Sequence, residues 1–169
     1  MTTGRLTLPI LDARIDARVR AAREAHPWWP CAEGCDHCCR SLPHLPTITR
    51  AEWERLQEAL EALPAELREA VRARTREIAA GGERRPVTCP MLDRDRGSCL
   101  VYAARPIACR TYGFYAERDA GLHCDKVTRA VDDHADEGPV LWGNGEAIAA
   151  DIGVPEVLLV LAGHDRKVP

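Results

Sequence analysis

Four cysteines fall within nine residues of this chain, at Cys31, Cys35, Cys38 and Cys39 in the run PCAEGCDHCCR. Packing alone has no use for so much sulfur in so short a stretch, and its spacing restricts the backbone. The positions i, i+4, i+7 and i+8 would share one face of a continuous helix. Such a helix would keep Cys31 and Cys38 roughly 10 Å apart along its axis. A single zinc ion takes its sulfurs at about 2.3 Å and could not be reached by all four. Either the run wraps as a loop, for which Pro30 and Gly34 are well placed, or its thiolates are shared between metals or around one larger cluster.

Four further cysteines, Cys89, Cys99, Cys109 and Cys124, are available to complete such a site. The first three are ten positions apart, compatible with one thiol per structural element turned toward a common centre. A shared site is favoured, because the later cysteines would otherwise be idle. The opening run is then half of a site, and Cys89 to Cys124 supply the other half.

The compartment decides between metal and disulfide chemistry. Leu6, Leu8, Ile10 and Leu11 are interrupted by Thr7, Pro9 and Asp12, so no continuous apolar leader core exists. No stretch approaches a membrane span. A cytoplasmic location is expected, where thiols stay reduced and a dense cysteine pattern means metal or redox chemistry. The competing framework of four disulfides would require export and separate partners for Cys38 and Cys39. A net charge of −3, with lysine only at Lys126 and Lys167, argues against a broad nucleic-acid surface. Neither nucleic acid nor membrane is expected as a partner; the metal ion is.

The 169 residues suit one compact domain with its own core. Apolar residues Ile10, Leu11, Ile15, Val19 and Ala22 recur at helical spacing, predicting a helix over Leu8 to Ala25 that ends at His26-Pro27. Trp28 and Trp29 follow, better suited to anchoring a core than to covering a metal. Thr49-Arg50-Ala51-Glu52 is a capping box ahead of a helix with Trp53, Leu56, Leu60 and Leu63 on its apolar stripe. A second helix is predicted from Ala65 to Ala80, with Leu67, Val71 and Ile78 inward and Gly81-Gly82 at its end. The two look like scaffold that brings the halves of the site together.

Short β-like runs on either side of Asp93-Arg94-Asp95-Arg96-Gly97 predict a hairpin. A short helix is expected over Ala103 to Arg110 with Pro106 in its first turn. Thr111 to Pro139 reads as loop-rich. A short helix follows from Glu146 to Asp151, and a last apolar one from Val157 to Ala162. The fold class expected is mainly α: a small single domain, 1–169, of several helices with a short β-hairpin around a cysteine-ligated metal site.

Thiolates are soft ligands suited to zinc, iron–sulfur clusters and Cu(I). Eight could fill two tetrahedral zinc sites, or one four-iron cluster with four left over. Arg40, Arg105 and Arg110 flank Cys39 and Cys109 and could offset the negative charge of such a centre. His37, His44 and His123 lie near cysteines, but eight thiols make a histidine ligand unnecessary, and His37 leads only because it sits inside the run. Cys31-x3-Cys35-x2-Cys38 has the spacing of the radical-SAM cluster loop, and Gly81-Gly82-Glu83 resembles the motif used there for the methionine amine. Without repeated β/α units that likeness lacks its structural context.

The clustered cysteines ending in Cys38-Cys39, then Cys89-Pro90-x-Leu92, Gly97-x-Cys99 and Tyr102-x-x-Arg105-Pro106-x-x-Cys109-Arg110, resemble the CxxCxxCC cysteine-cluster family, the YkgJ-type zinc- or iron-chelating domain. The likeness covers Cys31 to Arg110 and extends to Cys124. It departs at one point, where three residues separate Cys31 from Cys35 and Gly34 can absorb the extra one. The resemblance implies zinc or iron as cofactor, an iron–sulfur centre included, with Cys31, Cys35, Cys38, Cys39, Cys89, Cys99, Cys109 and Cys124 as ligands. A more distant relative, flagellin lysine N-methylase, carries a similar cluster and raises an enzymatic alternative. A structural zinc module acting on a protein partner is the other alternative.

Overall fold

The computed structural model describes residues 7–81, 85–116, 124–152 and 157–158. The chain forms two compact units, Met1–Ala32 with Ile107–Val154, and Glu33–Pro106 with Pro155–Pro169. As the sequence predicts, the described structure is mainly α.

The first unit is built on α1 (Leu8–Ala25), which has the predicted bounds. Its buried stripe is narrower than the apolar pattern. Leu11 and Ile15 are fully enclosed, while Ile10 is 49% exposed. Leu11 and Ile15 pack with Ile107 of α5 (Ile107–Thr111) and Ile148 of α7 (Gly145–Ile152). A second apolar cluster gathers Trp29, Phe114, Cys124 and Val127. Trp29 stacks on Phe114 with ring centroids 5.7 Å apart and meets Trp142 at 5.4 Å, so it does anchor a core. Trp28 stacks on His134 at 4.4 Å and donates its indole N–H to Glu137 Oε2 at 2.7 Å.

The stretch expected to be loop holds α6 (Asp125–Asp133). Few apolar residues mark it; Val127 and Val131, one turn apart, carry its inward face against the aromatic cluster. A short parallel pair joins β4 (Tyr115–Ala116) to β5 (Gly143–Asn144), with Tyr115 opposite Gly143. The Tyr115 ring lies directly on that glycine, and a Cβ there would come within 2.4 Å of the ring. Close packing therefore accounts for Gly143.

In the second unit α3 (Arg50–Glu61) and α4 (Ala65–Gly81) form the predicted helical pair. Leu56, Leu60 and Val71 enter a core with Leu45, Ile48, Val87, Met91, Val101 and Ala104. Leu67, predicted inward, is 39% exposed at the first turn of α4. Thr75 is instead enclosed, one turn beyond Val71, and its hydroxyl donates to Val71 O at 2.8 Å. That local bond satisfies the hydroxyl without a partner from another element.

The predicted hairpin forms from β2 (Leu92–Asp93) and β3 (Ser98–Cys99), with Leu92 opposite Cys99. The helix expected over Ala103 to Arg110 is broken. A 3₁₀ turn covers Tyr102–Ala104, Arg105 is extended (φ −52°, ψ 139°), and α5 starts only at Ile107. Pro106 is the cause, because its ring disfavours helical geometry in the residue before it. The expected last helix is also corrected. Val157–Leu158 is a strand, β6, paired antiparallel with β1 (Thr47–Ile48). The remainder of that expected helix, together with Gly82 and Glu83, lies outside the described residues. Among the described residues no helix is long and apolar enough to cross a membrane.

The capping box at α3 is complete. Thr49 Oγ1 accepts from Glu52 N–H at 3.3 Å, while Glu52 Oε2 accepts from Thr49 N–H and Oγ1–H, each at 2.8 Å. Glu52 is only 2% exposed, so its carboxylate depends on these donors. Thr49→Ala should cost about 1–2 kcal/mol and lower the melting temperature by roughly 2–4 °C per kcal/mol. Thr49→Ser, which keeps the hydroxyl, should melt close to the parent protein when both are followed by circular dichroism.

Candidate metal centre

The clustered cysteines do not lie on one helix. The chain turns at Gly34, whose φ is +90°, and only His37–Arg40 form a helical turn, α2. The run is thus not one continuous helix, and Gly34 makes its turn possible because residues with a Cβ avoid that φ. None of the eight cysteines is in a disulfide.

Cys38 and Cys39, adjacent on α2, place their Sγ atoms 4.0 Å apart, within weak hydrogen-bonding reach. Three hydrogen bonds hold this turn: one within it, one to the turn of the β2–β3 hairpin and one to Cys89. Arg40 Nε donates to Asp36 Oδ2 at 2.5 Å, and an Arg40 terminal nitrogen donates to Arg94 O at 3.1 Å. Cys89 N–H donates to Cys39 O at 2.7 Å. Gly97, with φ +65°, lets the hairpin turn approach closely; a Cβ there would lie 3.3 Å from both Asp36 Oδ2 and Gly34 O. Cys35 sits in the turn that Gly97 touches, and Cys89 and Cys99 pack against the core of the same unit.

The charge of Cys38 reaches Cys99. The Cys38 thiol is pushed far above the ordinary range, first by its hydrogen bond with Cys39, then by burial and by the charge of Cys39. Burial raises the Cys99 thiol, and the charge on Cys38 adds to that rise, while a backbone hydrogen bond and Arg105 oppose it. Both thiols resist carrying a negative charge unless a cation arrives to share it. Arg105 contributes part of that positive field. It is held by Arg105 Nε donating to Tyr102 O at 3.1 Å and by stacking 3.6 Å above the Tyr102 ring. Its carbonyl accepts from Arg55 of α3 at 2.8 Å.

Cys31, Cys109 and Cys124 belong to the other unit. Arg23 grips the Cys31 carbonyl through two nitrogens at 2.8 and 3.2 Å. The Cys31 sulfur faces Tyr112 O at 3.8 Å and packs beside Gly113, whose φ is +82°. Cys124 is buried in the aromatic cluster, against which Cys31 also packs. Cys109 lies on α5, where Arg110 pairs with Asp12 at 3.3 Å and Asp16 at 3.2 Å on α1. Arg110 thus ties two helices together. Among the described residues no three His, Cys, Asp or Glu side chains converge within metal-ligand reach. His44 donates Nδ1–H to Leu45 O at 3.0 Å, His37 opens α2, and His123 lies outside the described residues.

The donor set fits a thiophilic metal at one edge. Two thiolates on one tetrahedral zinc, each about 2.3 Å from it, stand about 3.8 Å apart. The 4.0 Å between Cys38 and Cys39 is close to that edge. The family model CxxCxxCC, described as "Putative zinc- or iron-chelating domain", matches residues 30–130, more than half of the chain. The chain belongs to the CxxCxxCC family. The matched region runs through both cysteine groups and includes Arg40, Arg105 and Arg110. No curated protein and no solved structure gives a significant match to it.

Sequence reasoning found every thiol of this CxxCxxCC chain but missed the contacts that hold them. Asp36 was not singled out, although Arg40 beside the cysteine pair could have drawn attention to an acid four residues earlier. Gly97 was visible as a hairpin glycine, but its approach to Gly34 was not. Gly97→Ala must adopt a left-handed backbone, costing about 1–2 kcal/mol, and must also displace Asp36. Gly34→Ala carries a positive-φ strain with open space around the new methyl. Chemical denaturation of the two variants should therefore show the larger loss for Gly97→Ala.

Proposed function

We propose that this CxxCxxCC protein chelates one zinc or iron ion through a thiolate core in which Cys38 and Cys39 bind the same metal. Cys99 joins them, and one of Cys35 and Cys89, the other thiols of the same unit, completes four-coordination. What carries the reading is the 4.0 Å separation of the Cys38 and Cys39 sulfurs, close to the edge of a thiolate tetrahedron. A two-iron cluster, with two thiolates on each iron, would also accept such an edge. A four-iron cluster takes one cysteine per iron and would need the pair to spread apart.

The metal would offset the charge that the Cys39 hydrogen bond and burial make costly on Cys38, and that burial makes costly on Cys99. The protein's own residues prepare its arrival. Gly34 and Gly97 let the cysteine turn and the hairpin approach, the Asp36–Arg40–Arg94 contacts hold α2, and Arg105 supplies positive charge near Cys99. Convergence of the remaining sulfurs belongs to binding itself, since a thiolate site and its metal assemble together. A reducing compartment such as the cytoplasm suits eight unlinked thiols. Cys31, Cys109 and Cys124 lie in the other unit and are proposed as ligands of a further metal.

Anaerobic purification followed by elemental and sulfide analysis tests the reading. Zinc or iron without inorganic sulfide is expected. A brown protein with four irons and four sulfides per cluster would overturn the shared-metal assignment of Cys38 and Cys39. Cobalt substitution should give intense sulfur-to-metal charge-transfer absorption, as soft thiolate ligation requires. Cys38→Ser, Cys39→Ser and Cys99→Ser should each lower metal content by about tenfold or more and reduce thermal stability together with it. Full metal retention in any of the three would remove that cysteine from the site.

A further inference from the structure

We propose that Cys38 and Cys39 act as a reversible redox switch on the metal site, closing to a disulfide between adjacent residues and thereby releasing the ion. This regulation rests on the chelation reading above. Both thiols are half-buried, within reach of a small reagent, and their sulfurs are already 4.0 Å apart. The helix that carries them is a single turn, His37–Arg40, so closing the ring disturbs little regular structure.

Adjacent residues have Cα atoms about 3.8 Å apart, shorter than the roughly 4.4 Å at which ordinary disulfides begin. The bond is therefore strained and easily reduced, which suits a switch and does not suit a permanent staple. The oxidant is a low-molecular-weight disulfide. One cysteine thiolate attacks it, forming a mixed disulfide and expelling one small thiolate. The neighbouring cysteine then attacks the protein-bound sulfur of that mixed disulfide and expels the second. The pair loses two electrons and two protons, and the oxidant becomes two thiols. Two sulfurs leave the thiolate form at once, so the metal loses one whole edge of its coordination. The twist at Cys39 also bears on Cys89, whose N–H is held by the Cys39 carbonyl.

The test uses full-length, zinc-loaded protein exposed to oxidised glutathione, with zinc release followed by a chromophoric chelator. Digestion at Asp36 and after Arg40 isolates both cysteines on one short peptide. The expected product is that peptide lighter by two hydrogens, with bound zinc down at least about tenfold and restored by dithiothreitol. Oxidation that leaves glutathione attached to either cysteine, or links either to Cys99 or Cys35, overturns the switch while the metal site stands. Zinc retained on a protein whose peptide is unlinked does the same. A reduced protein that takes up neither zinc nor iron sinks the chelation reading, and its regulation with it.

Discussion

Two thiols in contact make an unfavourable pair to ionise, and much of one unit is arranged around that fact. The hydrogen bond with Cys39 makes a charge on Cys38 costly, and burial and the charge of Cys39 raise that cost further. In a solvated loop the two side chains would simply turn apart. Here the turn that carries them is held. Arg40 reaches back to Asp36 and across to Arg94, Cys39 O holds Cys89 N–H, and the hairpin turn closes over Gly34 by means of Gly97. Each tie is modest, and exposed ion pairs such as Arg40–Asp36 contribute less than about 1 kcal/mol each. Their effect is to fix position, which a metal site needs more than it needs raw stability.

The helical scaffold of that unit serves the same end. Leu56, Leu60 and Val71 form a wall against which Val87, Met91 and Val101 pack, with Cys89 and Cys99 at its margin. The Arg55 side chain of α3 binds the Arg105 carbonyl and so steadies the residue whose charge favours the Cys99 thiolate. Apolar burial, at about 25 cal/mol per Å², thus positions a polar device at the edge of a core. In the other unit the arrangement differs: Cys124 is inside the apolar cluster, Cys31 is gripped by its backbone, and aromatic stacking dominates.

Where sequence reasoning succeeded, the cause of structure was local. α1 follows from a periodic stripe, α3 from the Thr49–Glu52 box, and the hairpin from an Asp- and Gly-rich turn. It failed where a distant partner decides. Val157–Leu158 is as apolar as a helix would need, but pairing with Thr47–Ile48 makes it a strand. α6 was missed because only two valines face inward, and those gain their meaning from the aromatic cluster that receives them. Arg105 was an intermediate case. The local rule that a proline spoils the helical geometry of its predecessor was available, but tolerance of proline in a first helical turn outweighed it.

By itself the sequence determined the chemistry of this protein: eight soft sulfur donors and membership of the CxxCxxCC family through residues 30–130. Ligand type is a property of the side chain and needs no fold to be legible. Only the tertiary structure decided which sulfurs are neighbours. It put Cys38 beside Cys39 and within the electrostatic reach of Cys99, and it assigned Cys31, Cys109 and Cys124 to another unit. It also gave Asp36, Gly97 and Arg105 their tasks. Distance between sulfurs depends on the packing of separate elements, and spacing along the chain carries no record of that.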